Sequence, residues 1–315
     1  MRLEYQILAA LALDLLAGDP QWLPHPVRLM GRLTARLEGT SRRFFPARAA
    51  GIATVCGTIA ATGLAAWALL AIAAAIHPAL GTAASILLLY TSFAARDLVG
   101  HGQQVYQALA SNDLSLARKR VAFLVSRDTA HLDAEGISRA TVESLAENLV
   151  DGITAPLFFA MLGGPVGVLC YKAASTMDSM FGYKNEQYRE FGWAAARLDD
   201  LLNFVPARLT GLIIPLAAFL AGLDWRSSWR IFWRDRLNHA SPNSGHSEAA
   251  VAGALNIRLG GPGSYFGTPT LKPTIGEANR AIEPADIRRA TRLILLATAL
   301  TTLLLFLLRQ PILAA

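Results

Sequence analysis

Apolar residues run in long blocks along this chain, separated by polar stretches rich in arginine. Residues 49–95 contain no Lys, Arg, Asp or Glu. As one helix they would measure roughly 70 Å at 1.5 Å per residue, about twice the hydrocarbon thickness of a bilayer. The polar break at His77-Pro78 therefore predicts two antiparallel membrane-spanning helices, 51–75 and 79–95, joined by a tight turn. Further candidate spans are 152–171, interrupted by Pro156, Gly163, Gly164 and Pro165; 209–223, with Pro215 inside; and 293–308, between Arg292 and Arg309. Arg292 and Arg309 can snorkel toward the interface. Residues 5–18 are apolar but carry Asp14 and make a poor span. The fold class expected is an all-α polytopic membrane protein, a single membrane-embedded domain over 1–315 with polar segments 19–48, 96–151 and 224–290.

Those polar segments carry the arginines. Residues 28–48 hold Arg28, Arg32, Arg36, Arg42, Arg43 and Arg48 against one acid, Glu38. By the positive-inside rule all three segments are expected on the cytoplasmic side of the inner membrane. If 152–171 and 209–223 both span, residues 172–205 lie outside; if both are re-entrant, 172–205 stay inside. The second option is preferred, because Pro and Gly interruptions suit broken backbone covered by protein or water. In 28–37 arginines and leucines each repeat every fourth residue, an amphipathic helix suited to an anionic surface. Residues 133–151 form another helix. No alternating strand pattern exceeds a few residues.

Composition agrees. Apolar residues make up 53% and charged residues 17%, with mean hydropathy +0.36. That excludes a disordered chain and a nucleic-acid-binding domain covered in basic residues, since an average soluble domain is about 25% charged. The net charge of +6 belongs to the arginine-rich loops. Cys56 and Cys170 are too few and too far apart for a disulfide framework or zinc site.

Five stretches carry candidate chemistry. Asp14 to Arg28 displays Asp19, His25 and Arg28 on a proline-rich turn. In the 133–151 helix, Arg139, Glu143, Glu147 and Asp151 fall at four-residue intervals on one stripe, which suits either a Mg²⁺ ion or an amine, or simply a solvated face with an Arg139–Glu143 pair. Tyr171 to Glu186 concentrates Lys172, Asp178 and Lys184 after an apolar segment, and Arg197, Asp199, Asp200, Asn203 and Arg208 continue it. In Arg234 to Glu248, which includes Asn238, Ser241 and Asn243, Ser244 and Ser247 are candidate N-caps for a helix over 248–256. A helix start there favours an anion, and His246 could touch phosphate or act as acid or base. Residues 260–267 look like a phosphate cradle but lack the Lys-Ser/Thr of a P-loop, and are expected to be a flexible loop.

Taken in order, Asp-x-x-x-Gly-Asp-Pro…Pro-His-Pro-Val, Arg127-Asp128-Thr129, Glu143-Ser-Leu-Ala-Glu147-Asn148-Leu-Val-Asp151-Gly152, Tyr171-Lys172-Ala-Ala-Ser-Thr-Met-Asp178-Ser, Leu198-Asp199-Asp200-Leu-Leu-Asn203 and Ser241-Pro-Asn243-Ser-Gly-His246 resemble the adenosylcobinamide-phosphate synthase family of cobalamin biosynthesis, the CobD/CbiB family. The resemblance runs over about 4–305. It implies a membrane-bound amide ligase joining adenosylcobyric acid to (R)-1-aminopropan-2-ol or its O-phosphate, driven by ATP with Mg²⁺. Under it Asp178, His246 and Glu147 are the catalytic expectation. Mg²⁺ is expected on Glu143, Glu147 and Asp151, or on Asp178. Lys172, Lys184 and Arg28 are expected at phosphates, and Asn243 and His246 at the aminopropanol phosphate. Asp19, His25, Arg127, Asp128, Asp199, Asp200, Asn203, Asn238 and Ser241 complete the expected substrate site. Expected partners are the corrinoid, the amino alcohol and the bilayer, with self-association or association with other membrane enzymes of the pathway, and no nucleic acid. The alternative is a multi-pass transporter or a corrinoid-binding regulatory protein. A transporter keeps ionisable groups within its spans, whereas 49–95 has no carboxylate or fixed cation.

Overall fold

The computed structural model describes residues 1–20, 22, 25–183, 185–265 and 267–314. Its elements in chain order are α1 (Leu3–Ala17), α2 (Pro26–Phe44), α3 (Ala47–Ile76), α4 (Pro78–Tyr90), α5 (Ala95–Ala110), α6 (Leu114–Val121), α7 (Ala134–Leu149), a π-helical turn (Val150–Thr154), α8 (Ala155–Phe181), α9 (Trp193–Leu202), α10 (Phe204–Leu220), α11 (Trp225–Asp235), α12 (Ser244–Leu255), the strands β1 (Arg258–Tyr265) and β2 (Thr268–Gly276), and α13 (Ala285–Ala314). The protein is an all-α polytopic membrane protein carrying one β-hairpin. Among the described residues four helical stretches can cross a membrane by length and composition: Ala47–Ile76, Pro78–Ala110, Ala134–Phe181 and Ala285–Arg309. Trp193–Leu202 and Phe204–Leu220 together make a fifth, broken candidate.

Contacts divide the chain into two compact units, where the sequence suggests one domain. Unit 1 is Met1–Ala94, Ala155–Asn203 and Leu305–Ala315; unit 2 is Ala95–Thr154 and Phe204–Leu304.

In unit 1, α3 ends at Ile76 and α4 starts at Pro78. The His77 side chain accepts from the Ala79 N–H at 3.2 Å, capping α4. The amphipathic helix α2 does not stand alone on a surface. It runs antiparallel along α3, tied by the hydroxyl pairs Thr34–Thr58 at 3.3 Å and Ser41–Thr54 at 2.9 Å. Polar side chains exchanging hydrogen bonds between otherwise apolar helices are a common glue in membranes. Residues 5–18 form α1, in which Asp14 is buried.

The interruption expected in 152–171 exists. Gly164, at φ +61° and ψ −152°, is non-helical, a conformation that favours glycine, and it breaks α8 into two helices that meet at a kink, the second running on to Phe181. Pro165 has no N–H for the Met161 carbonyl four residues earlier. The Arg309 guanidinium donates to that carbonyl instead, and also lies 3.7 Å from the buried Glu4 carboxylate. Arg309 is thus held by partners inside unit 1 rather than snorkelling.

In unit 2, α12 is buried along its whole length, Ser244 to Leu255. Its Ala, Gly and Ser content lets α10 and α11 approach closely, and a helix buried all round shows no amphipathic pattern. Gly211 of α10 marks the tightest point: a Cβ there would lie 2.3 Å from the Phe232 ring and 3.1 Å from the His246 carbonyl.

Of residues 260–267, expected as a flexible loop, 260–265 belong to β1 of the hairpin instead, and 266 lies outside the described residues. β1 pairs antiparallel with β2 from Arg258–Gly276 to Tyr265–Thr268, with an irregularity between Leu259 and Gly261. Positive φ at Gly260 (78°) and Gly261 (87°) makes that irregularity a glycine position.

Candidate active site

The site of unit 2 is built by α7, α12, the hairpin and the turn before α7. Asp133 caps α7 by accepting from the Gly136 N–H at 2.7 Å. This sets the turn in which Glu143 and Glu147 follow one another. Glu143 is buried and doubly used: one oxygen pairs with Arg127, and the other accepts from the Gly260 N–H at 2.7 Å. Arg139, expected opposite Glu143, pairs with Glu135 instead. Asp128 holds the far end of the hairpin, accepting from the Ser264 hydroxyl at 2.5 Å and from the Gly267 N–H at 2.9 Å, while its own N–H donates to the Ser264 carbonyl. Arg127 and Asp128 are therefore the latch between α7 and the hairpin.

Glu147 accepts from the Ser244 hydroxyl at 3.0 Å. Ser244 opens α12, so the helix starts four residues before the expected Glu248. Neither Ser244 nor Ser247 is the N-cap residue; Asn243 is, and it gives no side-chain cap. The Ser241 hydroxyl accepts from the Asn243 and Ser244 N–H groups instead, at 3.2 and 3.4 Å. Asn238 is exposed, and its backbone N–H donates to the Asp235 carbonyl.

Two groups absent from the expected site lie at its centre. Glu248 is wholly buried on α12. Burial, then the nearby Glu147 and Glu143 charges, push its carboxyl well above the usual range. His239 Nε2 stands 3.7 Å from Glu248, and His239 Nδ1 accepts from the Ser241 N–H at 3.0 Å. The ring is therefore the Nε2–H tautomer, and burial pulls its pKa below the ordinary value. A glutamate among alanines was the one available signal for Glu248.

His246 is 2% exposed, and neither ring nitrogen has a hydrogen-bond partner. Burial, then the charges of Arg208 and Arg236, lower its pKa to about 4. Arg208 also donates to Asn243 Oδ1 at 3.4 Å. Asn243, His246, Arg208 and Arg236 thus form an electropositive corner at the start of α12, suited to an anion.

Among the described residues no three His, Cys, Asp or Glu side chains gather as a metal centre. Glu143 is occupied by Arg127 and Gly260, and Asp151 lies in the wider π-turn after α7, where the four-residue stripe loses its register. The expected Glu143–Glu147–Asp151 metal set does not fit this arrangement.

Unit 1 holds the remaining candidates. The Tyr171 hydroxyl donates to Asn203 Oδ1 at 3.0 Å, and Asn203 Nδ2 donates to Asp199 Oδ2 at 3.0 Å. Phe159 stacks on the Tyr171 ring with centroids 5.0 Å apart. Asp178, Asp200 and Lys172 are close enough to act on the Asp199 charge. His25 Nδ1 caps α2 through the Val27 N–H at 3.2 Å, and its Nε2 lies 3.4 Å from Asp19. Arg28 follows on the exposed side of α2. Asp178 therefore groups with Lys172 and Asp199 in unit 1, while Glu147 and His246 belong to unit 2. Lys184 lies outside the described residues.

The chain is thus a multi-pass membrane protein carrying a β-hairpin, with buried carboxyls and an electropositive corner at the start of α12. The family model described as CobD/Cbib protein matches residues 7–294, and the chain belongs to that family. It is 48% identical over 307 residues to the cobalamin biosynthesis protein CobD of Geobacter metallireducens, covering 95% of this chain and 96% of the relative. It is 46% identical over 300 residues to the cobalamin biosynthesis protein CbiB of Salmonella typhimurium, covering 94% of each. No solved structure matches.

Proposed function

We infer that this protein works in cobalamin biosynthesis as an amide ligase of the inner membrane. It joins a propionate carboxyl of adenosylcobyric acid to (R)-1-aminopropan-2-ol O-phosphate, or to the free amino alcohol, at the expense of ATP. Family membership supports the pathway. The reaction rests mainly on the unpartnered, neutral His246 beside Arg208, Arg236 and Asn243 at the start of α12.

The carboxylate oxygen attacks the terminal phosphorus of ATP and ADP leaves, giving an acyl phosphate. The amine arrives as ammonium and gives up one proton to free its lone pair; its nitrogen then attacks the acyl carbon, phosphate leaves, and a second proton is lost from nitrogen. Arg208, Arg236 and the α12 N–H groups hold the acceptor's phosphate. A dianion there offsets the arginine charges that depress His246, so acceptor binding itself raises the basicity of His246. Glu147 is the second proton acceptor. Glu248, whose carboxyl burial and the neighbouring carboxylates push toward the protonated form, stands with His239 on the Glu147 side of the site. Lys172 and Arg28 of unit 1 are proposed to bind phosphate oxygens, with Asp178 and Lys172 both near Asp199. Magnesium enters only as counter-ion of the nucleotide phosphates, and the active site is proposed to face the cytoplasm.

The test is purified protein in detergent with adenosylcobyric acid, ATP, Mg²⁺ and each amine, reading the corrinoid product by mass. Amide product dependent on ATP is expected, with H246A and E147Q each at least about 100-fold slower. Corrinoid binding without ATP turnover, or full turnover in H246A, would overturn the reading.

A further inference from the structure

A groove of about 330 Å³ in unit 1 is used by none of the chemistry above. Leu29 and Leu33 of α2, Ala65 and Leu69 of α3, Leu88 of α4 and Leu169 of α8 line it, and Thr62 is the one hydroxyl residue in the lining. In the most apolar stretch of α3 only 6% of the residues are buried, so much of this stretch is left open to lipid, and a groove on it fills with hydrocarbon. An amide-rimmed macrocycle would find no polar partner on these walls.

One end of the groove is charged. Arg32 follows Leu29 by three residues and Arg36 follows Leu33 by three, so each is a surface neighbour of a lining leucine. Both arginines are exposed. The Thr34–Thr58 pair sets the register of α2 against α3. Arg32 and Arg36 therefore sit level with the turn of α3 just before Ala61. From there the wall runs roughly 12 Å along α3 to Leu69, at 1.5 Å per residue. Two exposed guanidinium groups at the head of an apolar channel, in a chain immersed in lipid, complement a ligand with one anionic end and one hydrocarbon tail.

We propose that this groove is a binding site for an anionic phospholipid, with an acyl chain between α2 and α3 and the phosphate headgroup on Arg32 and Arg36. The site is independent of the ligase reading and leaves the candidate catalytic residues untouched.

The experiment uses the full chain purified in neutral detergent, supplied with phosphatidylglycerol or phosphatidylcholine of matched acyl chains, and measures retained lipid per protein by mass spectrometry. Wild type is expected to retain phosphatidylglycerol about tenfold over phosphatidylcholine, the scale set by two surface arginines. R32Q combined with R36Q abolishes that preference and leaves chain retention. A65F, which fills the groove from an exposed wall position, lowers retention of both lipids; A61F repeats the test should A65F fold poorly. Equal retention of the two lipids by wild type, or unchanged retention in both groove-filling variants, overturns the proposal.

Discussion

Removing Glu143 separates two readings of the α7 stripe. If it is a metal ligand, its loss abolishes turnover and leaves folding intact. If it is the latch described above, its loss unfolds the site. In E143A the Arg127 guanidinium stays where its side chain is only 9% exposed, and the Gly260 N–H loses its acceptor. Breaking a buried ion pair from one side costs about 3–5 kcal/mol, and an orphaned buried donor adds ~1–3 kcal/mol, though the two overlap because relaxation of the hairpin relieves both. A net loss of about 4 kcal/mol corresponds to a fall in melting midpoint on the order of 10 °C. The assay is thermal unfolding in micelles followed by circular dichroism, on E143A, R127M and the double variant R127M/E143L. The double variant removes both charges and should recover most of the loss, because apolar replacement of a complete buried pair is often nearly neutral. An E143A protein that melts with wild type, or a double variant as unstable as the single one, would refute the latch.

Other outcomes follow from the same geometry. G211A drives a methyl into the Phe232 ring and should cost about 1–3 kcal/mol, read by the same melts. Y171F leaves Asn203 short of its hydroxyl donor and should cost about 1 kcal/mol. R236Q should raise the Michaelis constant for a phosphorylated acceptor at least about tenfold while sparing the unphosphorylated amine. The exposed Glu277 is held down to about 2 by its bonds to Arg230 and Arg234. Its folded value lies below the ordinary one, so anchoring of the hairpin is complete above pH 4.5 and is lost as pH falls toward 2. Hydrogen exchange in β2 should rise through that window, and E277Q should show the faster exchange already at neutral pH.

The helical blocks and the His77-Pro78 turn could be read from the sequence because they follow from local rules: uncharged length and a proline-marked break. Asn243 and His246 could be named because a Ser/Asn/Gly loop before an apolar run signals a helix start. The start itself was misplaced by four residues, since Ser244 donates to Glu147 rather than capping its own helix. The hairpin was hidden because its glycines and prolines give no alternation; what fastens it is Arg127, Asp128 and Glu143, more than a hundred residues away in the chain. Glu248 and His239 escaped for a similar reason. Their shifted pKa values come from burial that only the assembled α7, α11 and α12 create. The metal expectation came from four-residue spacing, which says where side chains point, not which partners reach them first.

The seal on the break in α8 has a consequence for biogenesis. The carbonyl of Met161 is freed by Pro165 and satisfied by Arg309, a residue synthesised 148 positions later. Until the segment carrying Arg309 emerges from the ribosome and enters the bilayer, the Met161 carbonyl lacks this partner. Maturation of unit 1 must therefore wait until Arg309 has been made, and a protein clipped just before Arg309 should be recognised by membrane quality control although every residue of both candidate sites is present.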